Sequence, residues 1–114
     1  MKKPKNGKQA ITRPCRETVL ARIKRDPKFA CALYTEAMNA IREGETEEGL
    51  SMLRDLVHAE ITFKELSKQT GFDEKSLHRM LSRRGNPTSR TLAKIIAAIR
   101  EDLGFVPHVS VAAA

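Results

Sequence analysis

Lys75 and Arg79 stand four residues apart in the stretch ELSKQTGFDEKSLHRML, with Ser76 and His78 between them and Glu74 just before. On a helix that spacing brings the two cations onto one face. Arg and Lys donate to the O6/N7 edge of guanine, the commonest specific base contact, and Ser and His add shorter polar groups. Glu74 either accepts from a cytosine amine or repels phosphate, and residue type alone leaves the two open. Downstream, SRRGNPTSR supplies Arg83, Arg84, Asn86, Thr88, Ser89 and Arg90. Cations and short donors near a helix N-terminus suit backbone phosphates, which position a protein without reading sequence. Thr62, Lys64 and Lys68 upstream fit the same task. The chemistry implied is recognition of double-stranded DNA. The blander alternative is an ordinary corner between two helices with a solvated basic face.

Catalytic chemistry has little to stand on. His58, His78 and His108 are scattered, and Cys15 and Cys31 have no base at a recognisable spacing. No ligand spacing suggests a metal, and no cofactor or small-molecule substrate is implied, so the expectation is a protein that is not an enzyme. The two thiols form no disulfide framework, which fits a reducing, cytoplasmic setting. No apolar run approaches the roughly 18 residues of a membrane span, and the basic start MKKPKNGKQ lacks the apolar stretch of a secretory signal.

The side chains at 74–79 need a scaffold, and the sequence offers a helical one. Thr62 can cap a helix that buries Leu66 and Thr70, with Ser67 beside them. Gly71 then suits a left-handed helix end. Phe72 gives an apolar plug, and Asp73 caps a second helix burying Leu77, Met80 and Leu81. Glu74, Lys75, Ser76, His78, Arg79 and Ser82 are left outward. Two helices joined by a short glycine turn, the second with an apolar inner and a polar outer face, read as a helix-turn-helix. The corner lets the first helix brace the second, which can then enter the major groove.

The rest of the chain also reads as helical. A helix after Pro14 carries Val19, Leu20 and Ile23. Asp26 caps the next, with Pro27 at its first position and Phe29, Leu33, Ala37 and Ile41 at four-residue spacing, widened by Ala30, Tyr34 and Met38; Gly44 ends it. Thr46 is expected to cap a third, with Glu47 and Glu48 in its first turn and Leu50, Leu53, Leu56 and Val57 as its apolar stripe. His58 falls at that helix's end, where a cation favours the dipole. A last helix begins near Thr88 or Ser89, shows Leu92, Ile95, Ile96 and Ile99, and closes at Gly104. The fold class is therefore all-α, a bundle of five to six helices containing a helix-turn-helix. Pro107 limits the β-prone FVPHVSV tail to a short edge strand at best. The organisation expected is a disordered basic arm over 1–13, N-terminal helices over 14–45, a DNA-binding unit over 46–104 and a tail over 105–114.

Composition agrees with a polyanionic partner. The 114 residues have no Trp, one Tyr and four Phe, and carry a formal charge of +7 with 31% charged residues. Residues 1–28 hold ten Lys/Arg against two acids, residues 29–60 two against seven, and residues 61–114 nine against five. An acidic middle between basic ends suggests two faces and two partners.

The segment from about Leu50 to Gly104 resembles the Xre/Cro-type helix-turn-helix family, of lambda-repressor-like fold. GFDEKSLHRMLS, GNPT and TLAKII look specifically like its addiction-module antidote branch, the HigA-like antitoxins. The upstream GETEEGLSMLRDLVHA is similar in layout, so the resemblance covers about residues 15–111, with the specific motif within 61–96. It implies an antitoxin of a type II toxin-antitoxin module that binds a RelE/ParE-like toxin and represses its own promoter at a palindromic operator, commonly as a homodimer. Base-reading positions then fall on Glu74, Lys75, His78 and Arg79, and the phosphate loop on Arg83 to Thr88. Two residues depart from the pattern: Phe63 stands where a phosphate-binding Gln is usual, and Ser67 where Ala is usual. The first puts that phosphate contact in doubt. The acidic residues Glu36, Glu43, Glu45, Glu47, Glu48 and Asp55 complement a basic toxin, or else are helix-start acids on a solvated face. A stand-alone regulator without a toxin, and a protein-binding adaptor that has lost DNA, are the other readings.

Overall fold

The computed structural model describes residues 13–114, with side chains from Thr18 onward; the expected basic arm falls almost wholly outside the described residues. Six α-helices follow one another: α1 (Arg13–Arg25), α2 (Pro27–Arg42), α3 (Thr46–Leu56), α4 (Phe63–Thr70), α5 (Glu74–Met80) and α6 (Ser89–Leu103), with a π-helical turn, Val57–Ile61, between α3 and α4. No strand forms among the described residues, so the edge strand allowed for residues 105–114 is absent. The tail leaves the bundle after Phe105, whose ring sits 5.4 Å from that of Tyr34. Val106, Val109 and Val111 beyond it are exposed. Among the described residues, no helix is long and apolar enough to cross a membrane.

The α1–α2 corner is built as its residues dictate. The Asp26 carboxylate accepts from the Lys28 and Phe29 backbone N–H groups at 3.1 and 3.2 Å, and Pro27 opens α2, where its missing N–H costs nothing. Across the corner the Arg22 guanidinium lies 4.2 Å from the Phe29 ring centroid. The buried face of α2 is Ala30, Tyr34, Ala37 and Ala40, while Phe29, Leu33 and Ile41 flank it half-buried. The innermost residues are thus the Ala30, Tyr34 and Ala37 side of the widened stripe, with Ala40 added. The cause is the close approach of α3: a Cβ on Gly49 would stand 2.5 Å from Ile41 Cγ1 and 3.0 Å from the Ala37 carbonyl oxygen. Small residues at that crossing let the two backbones meet.

The start of α3 differs from expectation. Thr46 is its first residue, the cap position is Glu45, and no side chain caps that end. Glu47 and Glu48 do fall in the first turn, and Leu50, Leu53, Leu56 and Val57 are all fully buried. These join Ile23, Leu66, Leu77, Leu81, Ile95 and Ile99 in one aliphatic core drawing on both halves of the chain. Burial pushes the Tyr34 phenol above its usual range, and the nearby Arg100 charge opposes part of that rise.

The π-turn was not foreseen. The Thr62 N–H donates to the Val57 carbonyl at 2.7 Å, five residues back, so one extra residue is wound into the turn. His58 and Glu60 point to solvent there, while Val57, Ala59 and Ile61 face the core. Thr62 exits at φ 77°, ψ 150°, a region that β-branched residues rarely occupy, at a cost on the order of 1–3 kcal/mol. The chain thereby turns sharply into α4. His58 falls in the last turn of this extended helix, as the sequence placed it, but on the π-turn rather than on regular α-helix.

Candidate nucleic-acid interface

The corner between α4 and α5 is closed by its own polar groups. The Thr62 hydroxyl accepts from the Glu65 N–H at 3.2 Å, starting α4. Gly71 ends it at φ 83°, ψ 1°, with its N–H donating to the Ser67 carbonyl at 2.8 Å. The Thr70 hydroxyl donates to the Leu66 carbonyl at 2.8 Å and accepts from the Phe72 N–H at 3.2 Å. Ser67 donates its hydroxyl to the Phe72 carbonyl at 2.6 Å. An alanine there would leave that half-buried carbonyl without this bond, so the serine strengthens the corner. Phe72 is half-buried, with the Lys94 ammonium of α6 5.4 Å from its ring centroid. Asp73 then accepts from the Ser76 N–H at 3.3 Å and opens α5.

On α5 the two faces are sharply different. Leu77, and Leu81 just past its end, are fully buried, and Met80 is half-buried against the core. Glu74, Lys75, His78 and Arg79 are exposed, and Ser76 is half-buried. The Arg79 guanidinium reaches the Ser76 hydroxyl at 3.5 Å, a long and weak contact that leaves its remaining donors outward. His78 is held more firmly. Its ring stacks on Phe63 at 3.8 Å between centroids and 16° between planes, and His58 lies 5.9 Å from it and 4.9 Å from Phe63. Phe63 itself is buried. It packs the start of α4 against the middle of α5.

The loop after α5 is tight. The Ser82 hydroxyl donates to the Arg79 carbonyl at 2.7 Å, and the Gly85 N–H donates to the Ser82 carbonyl at 2.9 Å. Any Cβ on Gly85 would fall 2.1 Å from the Met80 carbonyl oxygen, so only glycine fits. Among the residues expected to meet phosphate, Lys64, Lys68, Arg84, Asn86, Ser89 and Arg90 are exposed. Thr62 and Thr88 are also exposed, but their hydroxyls are engaged as helix caps, Thr88 accepting from the Thr91 N–H at 3.2 Å. Arg83 lies 3.6 Å from the Glu47 carboxylate at the start of α3. Both side chains are largely exposed, so this pair yields readily to a competing anion.

Three contacts escaped the sequence reading: His58 and Phe63 against His78, Glu47 against Arg83, and Lys94 against Phe72. Each joins residues from different elements, and only the π-turn brings His58 within reach. The described residues contain no group of three or more His, Cys, Asp or Glu side chains able to hold a metal ion. No protein-family model, curated protein or solved structure matches this chain.

Proposed function

We propose that this chain is a DNA-binding regulator in which α4 and α5 form a helix-turn-helix and α5 enters the major groove. The supporting observation is the division of α5: Leu77 is sealed into the core while Lys75, His78 and Arg79 stand exposed beyond a corner whose polar groups are satisfied. A helix held that way presents base-reading donors at fixed geometry, which is what direct readout needs. Lys64, Lys68, Arg84 and Arg90 are four exposed cations available to phosphates, alongside Arg83 once it leaves Glu47.

Within that reading, the resemblance of GFDEKSLHRMLS, GNPT and TLAKII to the antidote branch supports a narrower role: an antitoxin, acting in the cytoplasm as a homodimer on a palindromic operator, that also binds a cognate toxin. The acidic residues of α2 and α3 are the surface we assign to that second partner. Binding of a fluorescent duplex across a salt series tests the DNA claim. Log affinity should fall linearly with log salt, with a slope of up to about −3.6 per bound chain if all four cations engage. A slope near zero would refute it. Co-expression with the adjacent open reading frame tests the antitoxin claim. Rescue of growth and co-purification support it, whereas DNA binding with no interacting neighbour supports a stand-alone regulator.

A further inference from the structure

Three aromatic rings from three elements meet beside α5: His58 on the π-turn, Phe63 at the first position of α4 and His78 on α5. Both imidazoles belong to exposed residues, and the phenyl ring holding them is buried. The buried Phe63 ring thus braces both imidazoles. Here the π-turn puts His58 there, at the expense of the strained Thr62 backbone.

We propose that His58 is a further nucleic-acid-facing residue, and that His58 and His78, aligned on Phe63, make DNA affinity depend on protons. The proposal rests on the DNA-binding reading above. An imidazole is the side chain that gains charge between about pH 5 and 8. Protonating either ring adds a cation beside the face that meets the polyanion, so binding must tighten as pH falls. Linkage makes the effect reciprocal: bound DNA draws protons onto both rings. Their charged neighbours are mixed. On α5, Glu74 and Lys75 lie one turn before His78, Arg79 follows it, and uncharged Ser82 lies one turn beyond. One turn back from His58 are Arg54 and Asp55; on α4, Lys64 follows the uncharged Phe63.

Phe63 is the positioning residue. Phe63→Leu keeps most of the buried volume but removes the ring on which both imidazoles lie.

The test measures affinity of the full chain for a mixed-sequence 30-base-pair fluorescent duplex by anisotropy, at pH 5.8 and pH 8.0 and equal ionic strength. The readout is each protein's ratio of affinities at the two pH values, which a general loss of binding does not move. Thermal melts at both pH values exclude unfolded variants. The wild type should bind about tenfold or more tightly at pH 5.8, since each cation added against phosphate acts through counterion release. His58→Gln and His78→Gln should each remove about half of that ratio on a logarithmic scale. The double variant should bring it close to one, and Phe63→Leu should reduce it. The imidazole Hε1 signals of His58 and His78 should also move towards their protonated positions when duplex is added at constant pH. Duplex binding with a flat pH ratio, or a ratio that survives in the double variant, overturns the inference and leaves the DNA reading intact. No duplex binding at either pH overturns both.

Discussion

Gly71→Ala isolates the conformational demand of the corner, because its cost can be worked out from one angle. Gly71 sits at φ 83°, and a methyl group built there meets no atom within 4 Å. Packing therefore contributes nothing. An L-residue in the left-handed region costs roughly 1–2 kcal/mol, and alanine recovers about 0.4–1 kcal/mol by restricting the unfolded chain. The net expectation is destabilisation of about 1 kcal/mol, a fall in Tm of roughly 4–8 °C for a domain of this size. Gly71→Asn, which tolerates that conformation, should lose distinctly less. Gly85→Ala is the contrast. Its methyl would meet the Met80 carbonyl oxygen at 2.1 Å, so the loop must move, and asparagine should give no relief there. Urea denaturation of the four variants gives all the values. If Gly71→Asn were no better than Gly71→Ala, or if Gly71→Ala left stability unchanged, the left-handed assignment of the corner would be wrong.

Other outcomes follow from the same geometry. Arg79→Ala should weaken binding to a selected preferred duplex by about 1–3 kcal/mol and relax sequence preference, read by competition among duplex variants; unchanged preference would remove α5 from the reading role. Arg84→Ala should weaken all duplexes alike and make the salt slope shallower by about 1. Asp73→Ala removes the cap of α5 and should cost about 0.5–2 kcal/mol in denaturation. The Tyr34 phenol is raised by burial, so the folded state holds its proton more tightly than the unfolded chain. That contribution is complete below the unfolded value of about 10 and is lost as pH rises through the folded one. Tyr34→Phe should flatten the fall in stability above about pH 10.

Most of the helical frame was legible because its signals are local. Asp26, Thr62, Asp73 and Thr88 each receive the backbone N–H that their position before an apolar run predicts, and Gly71 and Gly104 end helices with positive φ. Thr46 misled because it is already the first helical residue: Glu45 takes the cap position and the chain enters α3 without any side-chain cap. On α2 the widened stripe held Ala30, Tyr34 and Ala37, which are buried, but not Ala40, and Phe29, Leu33 and Ile41 lie at its edge. The close contact of Gly49 with Ala37 and Ile41 comes from another helix, which local spacing does not reveal. The tail was read as β-prone from its valines, but a strand needs a partner, and the described chain supplies none. The π-turn left no trace in the sequence: VHAEI continues the apolar period of α3, and its fifth-residue hydrogen bond follows from tertiary packing. Consequently the outward set on α5 was legible, whereas the stacking of His78 on Phe63 and His58 was not.

Mapping which amides respond when duplex DNA is added to the isotope-labelled chain addresses the recognition surface most directly. Shifts concentrated on residues 74–79 and 83–90, with smaller ones on the π-turn and α4 and with α2 and α3 silent, are the predicted result. Shifts confined to the acidic helices, or none at saturating duplex in low salt, would contradict the claim that α5 meets DNA.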